Sequence, residues 1–464
     1  MTLKNITDVC GGEYHGPEAA LKEEAVSITT DSRTAEKGSL FIPIAGARVD
    51  GHCFIPQVIE AGALAVLSEK ELENVSFPWI KVDSSLQAVK DLAEFYLNQL
   101  NIPVVGITGS VGKTSTKEAI ASVLKEKYRV LKTQGNFNNE LGLPLTVFRL
   151  REEDEIAVLE MGINHFGEMT RLARIARPHT AVITNIGTCH LEFLGDRDGV
   201  FRAKTEMLDF VRDGGHIVLN GDDDKLAAVK ETRGIKPVFF GLEKDRRNTE
   251  DGRDFPEPDA FASDIISCGL AGTKAVLHLG DSILPVTIPV PGMHMVYNAL
   301  AAALVGRLYG LDDSQIIRGI ESMSTISGRM NQIRTERLLV VDDCYNANPM
   351  SMEAALDVLK ETPGRKMAIL GDMGELGPEE AELHRSVGVH AAACGIDRLV
   401  FVGPLAGHMA RGAEEAGAAD CIYEEKLESL LEHLTDYVQD MDTVLVKASH
   451  FMHFEKVVQA LKEI

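Results

Sequence analysis

Cysteine pairs at metal-knuckle spacing are missing from this chain. Its seven cysteines, Cys10, Cys53, Cys189, Cys268, Cys344, Cys394 and Cys421, never come closer than the 27 positions that separate the last two. That excludes a CxxC knuckle and a dense disulfide framework, and it fits a reducing compartment. Long apolar runs are missing too. No stretch reaches the ~18 residues of a membrane span, and the start, MTLKNITDVCGGEYHG, lacks the charged-then-apolar pattern of a secretory signal. A cytoplasmic protein with no membrane insertion is the expectation. Basic residues are few beside acidic ones: 47 Lys plus Arg stand against 70 Asp plus Glu, a net charge of −23. Such a surface repels a phosphate backbone, which excludes a general nucleic-acid binder but leaves room for a local basic pocket around a small anion.

What is present is a globular composition, 45% apolar and 25% charged, with no internal repeat and no low-complexity tract. At about 150 residues per domain, 464 residues predict roughly three domains, each able to bury a core. From about residue 100, apolar runs alternate with helical-period stretches, which predicts parallel α/β sheets. Strands are expected over Val104–Thr108, Ile156–Met161, Ala181–Ile186 and His216–Asn220, with helices over Lys113–Lys127 and Val200–Val211. A charged stretch from Glu243, EKDRRNTEDGRDFPEPDA, reads as a solvated loop ahead of short alternating strands around Ala275–Pro289, and Asn298–Tyr309 reads as a buried helix. A second strand–helix series begins at LLVVDD (338–343), after a linker over Ser324–Arg334 that carries Gly328. The expected layout is residues 1–99, with Phe54–Ala63 as the clearest helix, then 100–325 and 326–464.

The segment VVGITGSVGKTSTKEAIASVL places a glycine-rich turn between an apolar strand and an amphipathic helix, the setting of a phosphate-binding loop. Gly109 and Gly112 would let the backbone turn its N–H groups toward a triphosphate. Lys113 would neutralise its oxygens, and the Thr114 hydroxyl would ligate Mg²⁺ at a positively polarised helix start. One departure stands out: the usual GxxxxGK[ST] pattern has glycine where Ile107 stands. Further along, Glu160 ends a buried strand, where ligands of parallel sheets bind. His190 follows another strand and Lys204 sits on the next helix. Taken one at a time, these three read better as a solvated acid, a satisfied loop histidine and a solvated helix lysine.

Together, TGSVGKT (108–114), GNFNNELGLPLT (135–146), EMGINHFGE (160–168), the HLE and AK pair (190–192, 203–204), DDCYNANPMSMEAAL (342–356) and LGDMGELG (370–377) resemble the ATP-dependent muropeptide ligases over essentially the whole chain. That family's loop is TGxxGKT, which accommodates Ile107. The segments fit the branch that adds D-alanyl-D-alanine. The resemblance implies three α/β domains: an N-terminal domain for the UDP-linked substrate, a central P-loop domain and a Rossmann-like C-terminal domain for the dipeptide. It also implies a monomer that phosphorylates the terminal carboxylate of a UDP-N-acetylmuramoyl-tripeptide with ATP and couples the acyl phosphate to the dipeptide in peptidoglycan precursor synthesis.

Residue by residue, the resemblance implies that Gly109, Ser110, Val111, Gly112, Lys113, Thr114 and Ser115 hold ATP phosphates. Thr114, Glu160, His190 and a carbamylated Lys204 would hold two Mg²⁺. His294 and Asn298 would lie near adenine, and Arg329, Asp343, Tyr345 and Asn346 would face the nucleotide, with the choice between Asp342 and Asp343 open. Ser32, Arg33, Gly46, Asp50 and His52 resemble the uridine-diphosphate pocket, and Asn138, Asn139, Asn348, Asp372 and Glu375 the remaining substrate contacts. On the residues alone, the first group is a polar loop pair, Asn348 belongs to an Asn- and Pro-rich turn, and the segment with Asp372, Glu375 and His384, where the resemblance puts the dipeptide, caps the helix at 379–394. The family's KGSR near the chain end stands here as Lys447-Ala448-Ser449-His450. A sibling ligase adding one amino acid, a folylpolyglutamate-type ligase and a P-loop phosphotransferase or nucleotide-gated module are the alternatives.

Overall fold

The computed structural model describes residues 1–46, 49–242 and 255–464, so most of the expected loop from Glu243 lies outside the described residues. Three sheets of five, nine and six strands organise those residues. The largest runs Ser282–Ile288, Thr273–Leu279, Ala260–Ser267, Val238–Leu242, His216–Asn220, Thr180–Ile183, Val104–Thr108, Ile156–Glu160, Val130–Lys132. Its strands are parallel from Val130–Lys132 across to Ala260–Ser267 and antiparallel beyond. The central strands are buried on both faces and read as unbroken apolar runs, as a helix-covered parallel sheet requires. Chain order reverses at Val104–Thr108, which pairs with Ile156–Glu160 on one side and Thr180–Ile183 on the other. This is the switch point where α/β sheets bind ligands.

Two helices cover the face behind that point. Lys113–Leu124 packs against Met293–Leu308, whose residues Met295, Val296 and Asn298–Gly306 are all buried. The second helix begins five residues before the expected Asn298, because Gly292 turns the chain at φ +106° and the apolar face starts at once. The stretch expected as one helix over Val200–Val211 divides into Arg197–Thr205 and a 3₁₀ turn, Glu206–Phe210.

The N-terminal sheet, ordered Glu13–His15, Trp79–Lys81, Ala65–Ser68, Leu40–Phe41, Ile28–Thr29, is parallel except for its first pair. It joins the central domain through the helix Ser85–Leu100. Ser84 caps that helix by accepting the Gln87 N–H, and Asn101 ends it at φ +49°. Its buried Ala88, Val89, Leu92, Ala93 and Leu97 belong to one apolar cluster with Leu3 and Ile6 on one side and Leu143 and Leu172 on the other. The third sheet runs Asn331–Arg334, Leu339–Asp342, Thr443–Lys447, Lys366–Gly371, Arg398–Val402, Cys421–Glu424, parallel except at its first pair. That antiparallel strand is the end of the linker, so the connection between domains is itself pinned to the third sheet.

The inner strand of the central sheet carries a pH-sensitive bond. The Val104 N–H donates to His179 Nδ1 at 3.1 Å, so that nitrogen must stay unprotonated. Burial, helped by Arg212, lowers the His179 pKa to about 4. The unfolded chain, with an ordinary histidine near 6.5, therefore binds more protons between those values, and stability present above pH 6.5 is lost as pH falls toward 4. Because His179 is only half buried, we expect a loss of about 1 kcal/mol, or about 2–4 °C in thermal midpoint, between pH 7 and 5. His179→Asn, which keeps an acceptor near Nδ1, should flatten that slope; an unchanged slope in calorimetry would remove the assignment.

Candidate active site

The turn after Val104–Thr108 is shaped by glycine and braced from the next strand. A Cβ on Gly109 would collide with Thr184 Oγ1, and Gly112 begins the helix at φ +82°. The Asn185 carbonyl accepts the Ser110 N–H at 3.0 Å and its Oδ1 accepts the Val111 N–H at 2.9 Å. The Val111 carbonyl takes bonds from Thr184 Oγ1 (2.6 Å) and Asn185 Nδ2 (3.1 Å). Ile107, at the position where the common pattern has glycine, is a fully buried strand residue. Lys113 folds over the turn, its Nζ 2.8 Å from the Gly109 carbonyl and 3.4 Å from that of Ser110. Burial, with the Lys204 ammonium nearby, lowers its pKa to about 8.

Glu160 meets this turn from the neighbouring strand. Its Oε1 accepts the Thr114 hydroxyl at 3.1 Å and the Asn138 amide at 2.8 Å. Its Oε2 is buried with no hydrogen-bond partner, 3.6 Å from the Lys117 ammonium. Lys204 is fully buried, and its Nζ has no partner either. An isolated buried ammonium costs several kcal/mol, so this corner calls for an anionic or metal-bound complement. The carboxylate and hydroxyl of Glu160 and Thr114 are hard oxygen donors that fit Mg²⁺; a free lysine ammonium does not.

A cavity of about 590 Å³ opens beside the turn, between the central and third domains. Ser110 to Thr116, His294, Asn298, Arg329, Asp343, Asn346, Asn348 and Lys447 all line it. Asn298 is tied to the loop helix by the Thr116 hydroxyl at 2.7 Å. His294 keeps a buried, unpartnered Nδ1, and burial pushes its pKa below the usual histidine value. Arg329 lies over the Tyr345 ring at 4.4 Å, and the Tyr345 N–H donates to the Gly328 carbonyl at 3.1 Å. The two aspartates have parallel jobs. Asp342 Oδ2 accepts the Gly328 N–H at 2.9 Å, while Asp343 Oδ1 accepts the Met330 N–H at 3.0 Å and its Oδ2 pairs with Lys447 at 2.6 Å. Both hold the linker, and of the two only Asp343 lines the cavity.

Several expected residues lie elsewhere. His190 and Glu375 meet across the domain seam, Nδ1 to Oε2 at 2.5 Å, each with a left-handed backbone at φ +55° and +61°. A carboxylate only accepts, so Nδ1 carries the proton; burial lowers the imidazole pKa, and the bond to His190 lowers that of Glu375. Asn348 lines the cavity but its side chain is committed to capping the helix Pro349–Lys360 through the Ser351 N–H, and away from the cavity Asn139 Oδ1 accepts the Gly142 N–H. Asp372, raised in pKa by burial, accepts the Ala406 N–H at 2.6 Å at a helix start, and His384 Nε2 accepts the Met373 N–H. In the first domain, Arg33 pairs with Asp31 at the surface, Asp50 with His52 and Lys70, and the Gly46 N–H donates to Val49; none of these, nor Ser32, lines the cavity. Asn185 and Lys117 were not anticipated. Asn185 stands just past a strand at the carboxyl edge, the same signal that marked Glu160; Lys117 carries no signal beyond lying one turn after Lys113.

A strand–glycine turn–helix at a switch point, a lysine over the turn, a buried carboxylate beside it and a third domain closing over the cavity define a nucleotide-using α/β enzyme. Models of the Mur ligase family match three stretches: the catalytic domain over 24–97, the middle domain over 107–306 and the glutamate ligase domain over 328–450. The chain belongs to the Mur ligase family. It is 36% identical to the UDP-N-acetylmuramoyl-tripeptide--D-alanyl-D-alanine ligase of Bacillus subtilis, covering 100% of this chain and 98% of that one, and 34% identical to the Escherichia coli ligase of the same name with the same coverage. MurF from Acinetobacter baumannii superposes with a TM-score of 0.89 at 32% identity, covering 100% and 99% of the two chains. MurF from Thermotoga maritima in complex with ADP superposes at 0.81 and 30% identity, covering 95% and 97%.

Lys113→Ala should lower turnover at least about 100-fold, the cost of losing a preorganised cation at the phosphoryl group, with the thermal midpoint unchanged. Ligation at the wild-type rate in a coupled phosphate-release assay would remove Lys113 from the machinery.

Proposed function

We propose that this enzyme joins D-alanyl-D-alanine to the terminal carboxylate of a UDP-N-acetylmuramoyl-tripeptide, converting ATP to ADP and phosphate, as a cytoplasmic monomer in peptidoglycan precursor synthesis. What carries the reading is the end-to-end similarity to ligases of that name, combined with a phosphate loop whose cavity is walled by two domains. A carboxylate and an amine do not condense in water. A substrate carboxylate oxygen attacks the γ-phosphorus, ADP leaves, and the dipeptide amine then attacks the acyl carbon, expelling phosphate and shedding a proton.

In this reading the loop from Gly109 to Ser115, braced by Asn185 through the Ser110 and Val111 N–H groups, presents its helix start after Gly112 and the Lys113 ammonium to the phosphate chain and holds it in line. Thr114, Glu160, His190 and Lys204 would hold Mg²⁺, which supplies charge neutralisation on the phosphoryl oxygens when bound. Lys204 fits that set as a carbamate, formed when its neutral amine takes up CO₂ and sheds a proton, because its buried and unpartnered nitrogen then carries an anionic oxygen donor. His294 and Asn298 would meet the adenine, and Arg329, Tyr345 and Asn346 the phosphates. The Asp50–His52 and Ser32–Arg33 turns, with Gly46, would hold the uridine diphosphate. Asn138, Asn139, Asn348, Asp372 and Glu375 would serve the peptide substrates directly or by shaping their walls. The third domain's loop excludes water from the hydrolysable acyl phosphate.

Mass spectrometry of a substrate panel tests the reaction. UDP-muramoyl tripeptides carrying diaminopimelate or lysine are each offered D-Ala-D-Ala, D-Ala, L-Glu or no amine, and the pentapeptide should form only with D-Ala-D-Ala. Phosphate release without an amine or a carboxyl donor would instead indicate a phosphotransferase or switch. Lys204→Ala should lose at least about 100-fold in rate, as removal of a metal-site group does, and regain part of it with added formate or acetate; full activity without rescue would end its assigned role.

A further inference from the structure

Away from the cavity, the third domain gathers three side chains of metal-binding chemistry. His390 and Cys394 stand one turn apart at the end of the helix Glu380–Ala393, and Asp357 faces them from the last turn of Pro349–Lys360. Their donor atoms all lie within 4.8 Å of one another. His390 Nε2 is 2.9 Å from Asp357 Oδ1, and Cys394 Sγ is 3.7 Å from the same oxygen. We propose that Asp357, His390 and Cys394 form a site for a thiophilic divalent cation, Zn²⁺ in the first instance, that is separate from the phosphate-loop centre.

The donor set carries the choice of ion. One imidazole, one thiolate and one carboxylate match the ligands zinc takes, whereas Mg²⁺ demands oxygen donors and rejects sulfur. Zinc bonds of about 2.0–2.3 Å put tetrahedral donors about 3.3–3.8 Å apart; the Cys394–Asp357 distance of 3.7 Å lies inside that range, and the His390–Asp357 hydrogen bond of 2.9 Å would open slightly to reach it. The spacing i, i+4 puts His390 and Cys394 on one face of their helix. Both helices present their carbonyl ends here, the negative end of the helix dipole. Charge agrees: Glu353 lies one turn before Asp357 and, with it, presses a negative field on the Cys394 thiol, opposed by Lys360. Cys394 is buried while Asp357 and His390 reach solvent, so an ion has a path in and a wet fourth position.

On binding, the Cys394 S–H proton leaves to solvent, His390 gives up the Nε2 proton it shares with Asp357 and is left as the neutral imidazole protonated on Nδ1, and bonds from sulfur, Nε2 and carboxylate oxygen to the ion replace the hydrogen bonds among the three. The ion would clamp two helices, one that begins at the cavity, where Asn348 caps it, and one that follows the Glu375 loop.

The full chain, stripped by a chelator and returned to millimolar Mg²⁺, is titrated with Zn²⁺ against a chromophoric competitor and, separately, with Co²⁺. One equivalent of Zn²⁺ should bind with a dissociation constant below about 1 μM. His390→Ala and Cys394→Ser should each weaken it at least about 100-fold, and Co²⁺ should give a near-ultraviolet sulfur-to-metal band that Cys394→Ser abolishes. Asp357 and His390 lie at the surface and Cys394→Ser is nearly isosteric, so circular dichroism and ligation in Mg²⁺ should match wild type. Failure of the wild type to take up one equivalent, or uptake equal in both variants, overturns the site without touching the ligase assignment.

Discussion

Cationic side chains crowd the corner beside the phosphate loop, where the Lys204 nitrogen is buried without a partner. Lys113, Lys117 and Arg329 converge around Glu160, with the unmodified Lys204 beside them and Glu118 taking part of the Lys117 charge, in a chain whose net charge is −23. Such a corner is unfavourable by itself, because unpaired charges lose hydration without regaining it from partners. It persists because each group is rooted in an element that cannot relax away. Lys113 and Lys117 sit on a helix pinned under Met293–Leu308, Lys204 on a fully packed helix face, and Glu160 at the end of a strand buried on both sides. The mismatch is what makes the site selective for polyanions. A polyphosphate supplies the missing negative charge at the helix start beside Lys113, while the acidic remainder of the surface repels extended polyanions.

Rigidity of the loop matters as much as its charge. The Val111 peptide is held on its N–H and carbonyl sides at once by Asn185 and Thr184. The turn therefore does not need to organise when a nucleotide arrives, and binding energy goes into orientation rather than ordering. The linker is treated the same way, its Gly328 and Met330 amides fixed to Asp342 and Asp343. Arg329, set between those two anchored amides, travels with the third domain rather than with the linker's own fluctuations.

Much of this was written in the sequence, for reasons that differ by residue. The strands Val104–Thr108 and His216–Asn220 carry their own apolar signature, and Gly109 through Thr114 combine a turn with a charge no structural need explains. The helix Ser85–Leu100 was not anticipated, because the apolar face that defines it is shared between two domains. The partnership of His190 with Glu375, 185 positions apart, is invisible to any local pattern. The two aspartates at 342 and 343 could not be told apart in sequence because adjacent strand-end residues point to opposite faces, and the linker bonds them both. The uridine-diphosphate residues stay a reading by resemblance: the structure gives them partners of their own, Asp31 for Arg33 and Lys70 for Asp50.

The arrangement of the two larger sheets explains why one chain needs both. In the central sheet the order reverses at Val104–Thr108. In the third, Leu339–Asp342 and Lys366–Gly371 flank Thr443–Lys447, so the chain crosses from one side of the last strand to the other and then runs outward to Cys421–Glu424. Ligands gather at the carboxyl edge of such reversals, and both edges supply walls of the same cavity: Ser110 to Thr116 from one, Asp343, Asn346 and Lys447 from the other. A single switch point offers one crevice, enough for a nucleotide. A reaction that must bring a nucleotide, an acid and an amine together in sequence needs a second edge that can approach the first. The anchored linker fixes the direction of that approach, and the His190–Glu375 bond marks where the two edges meet.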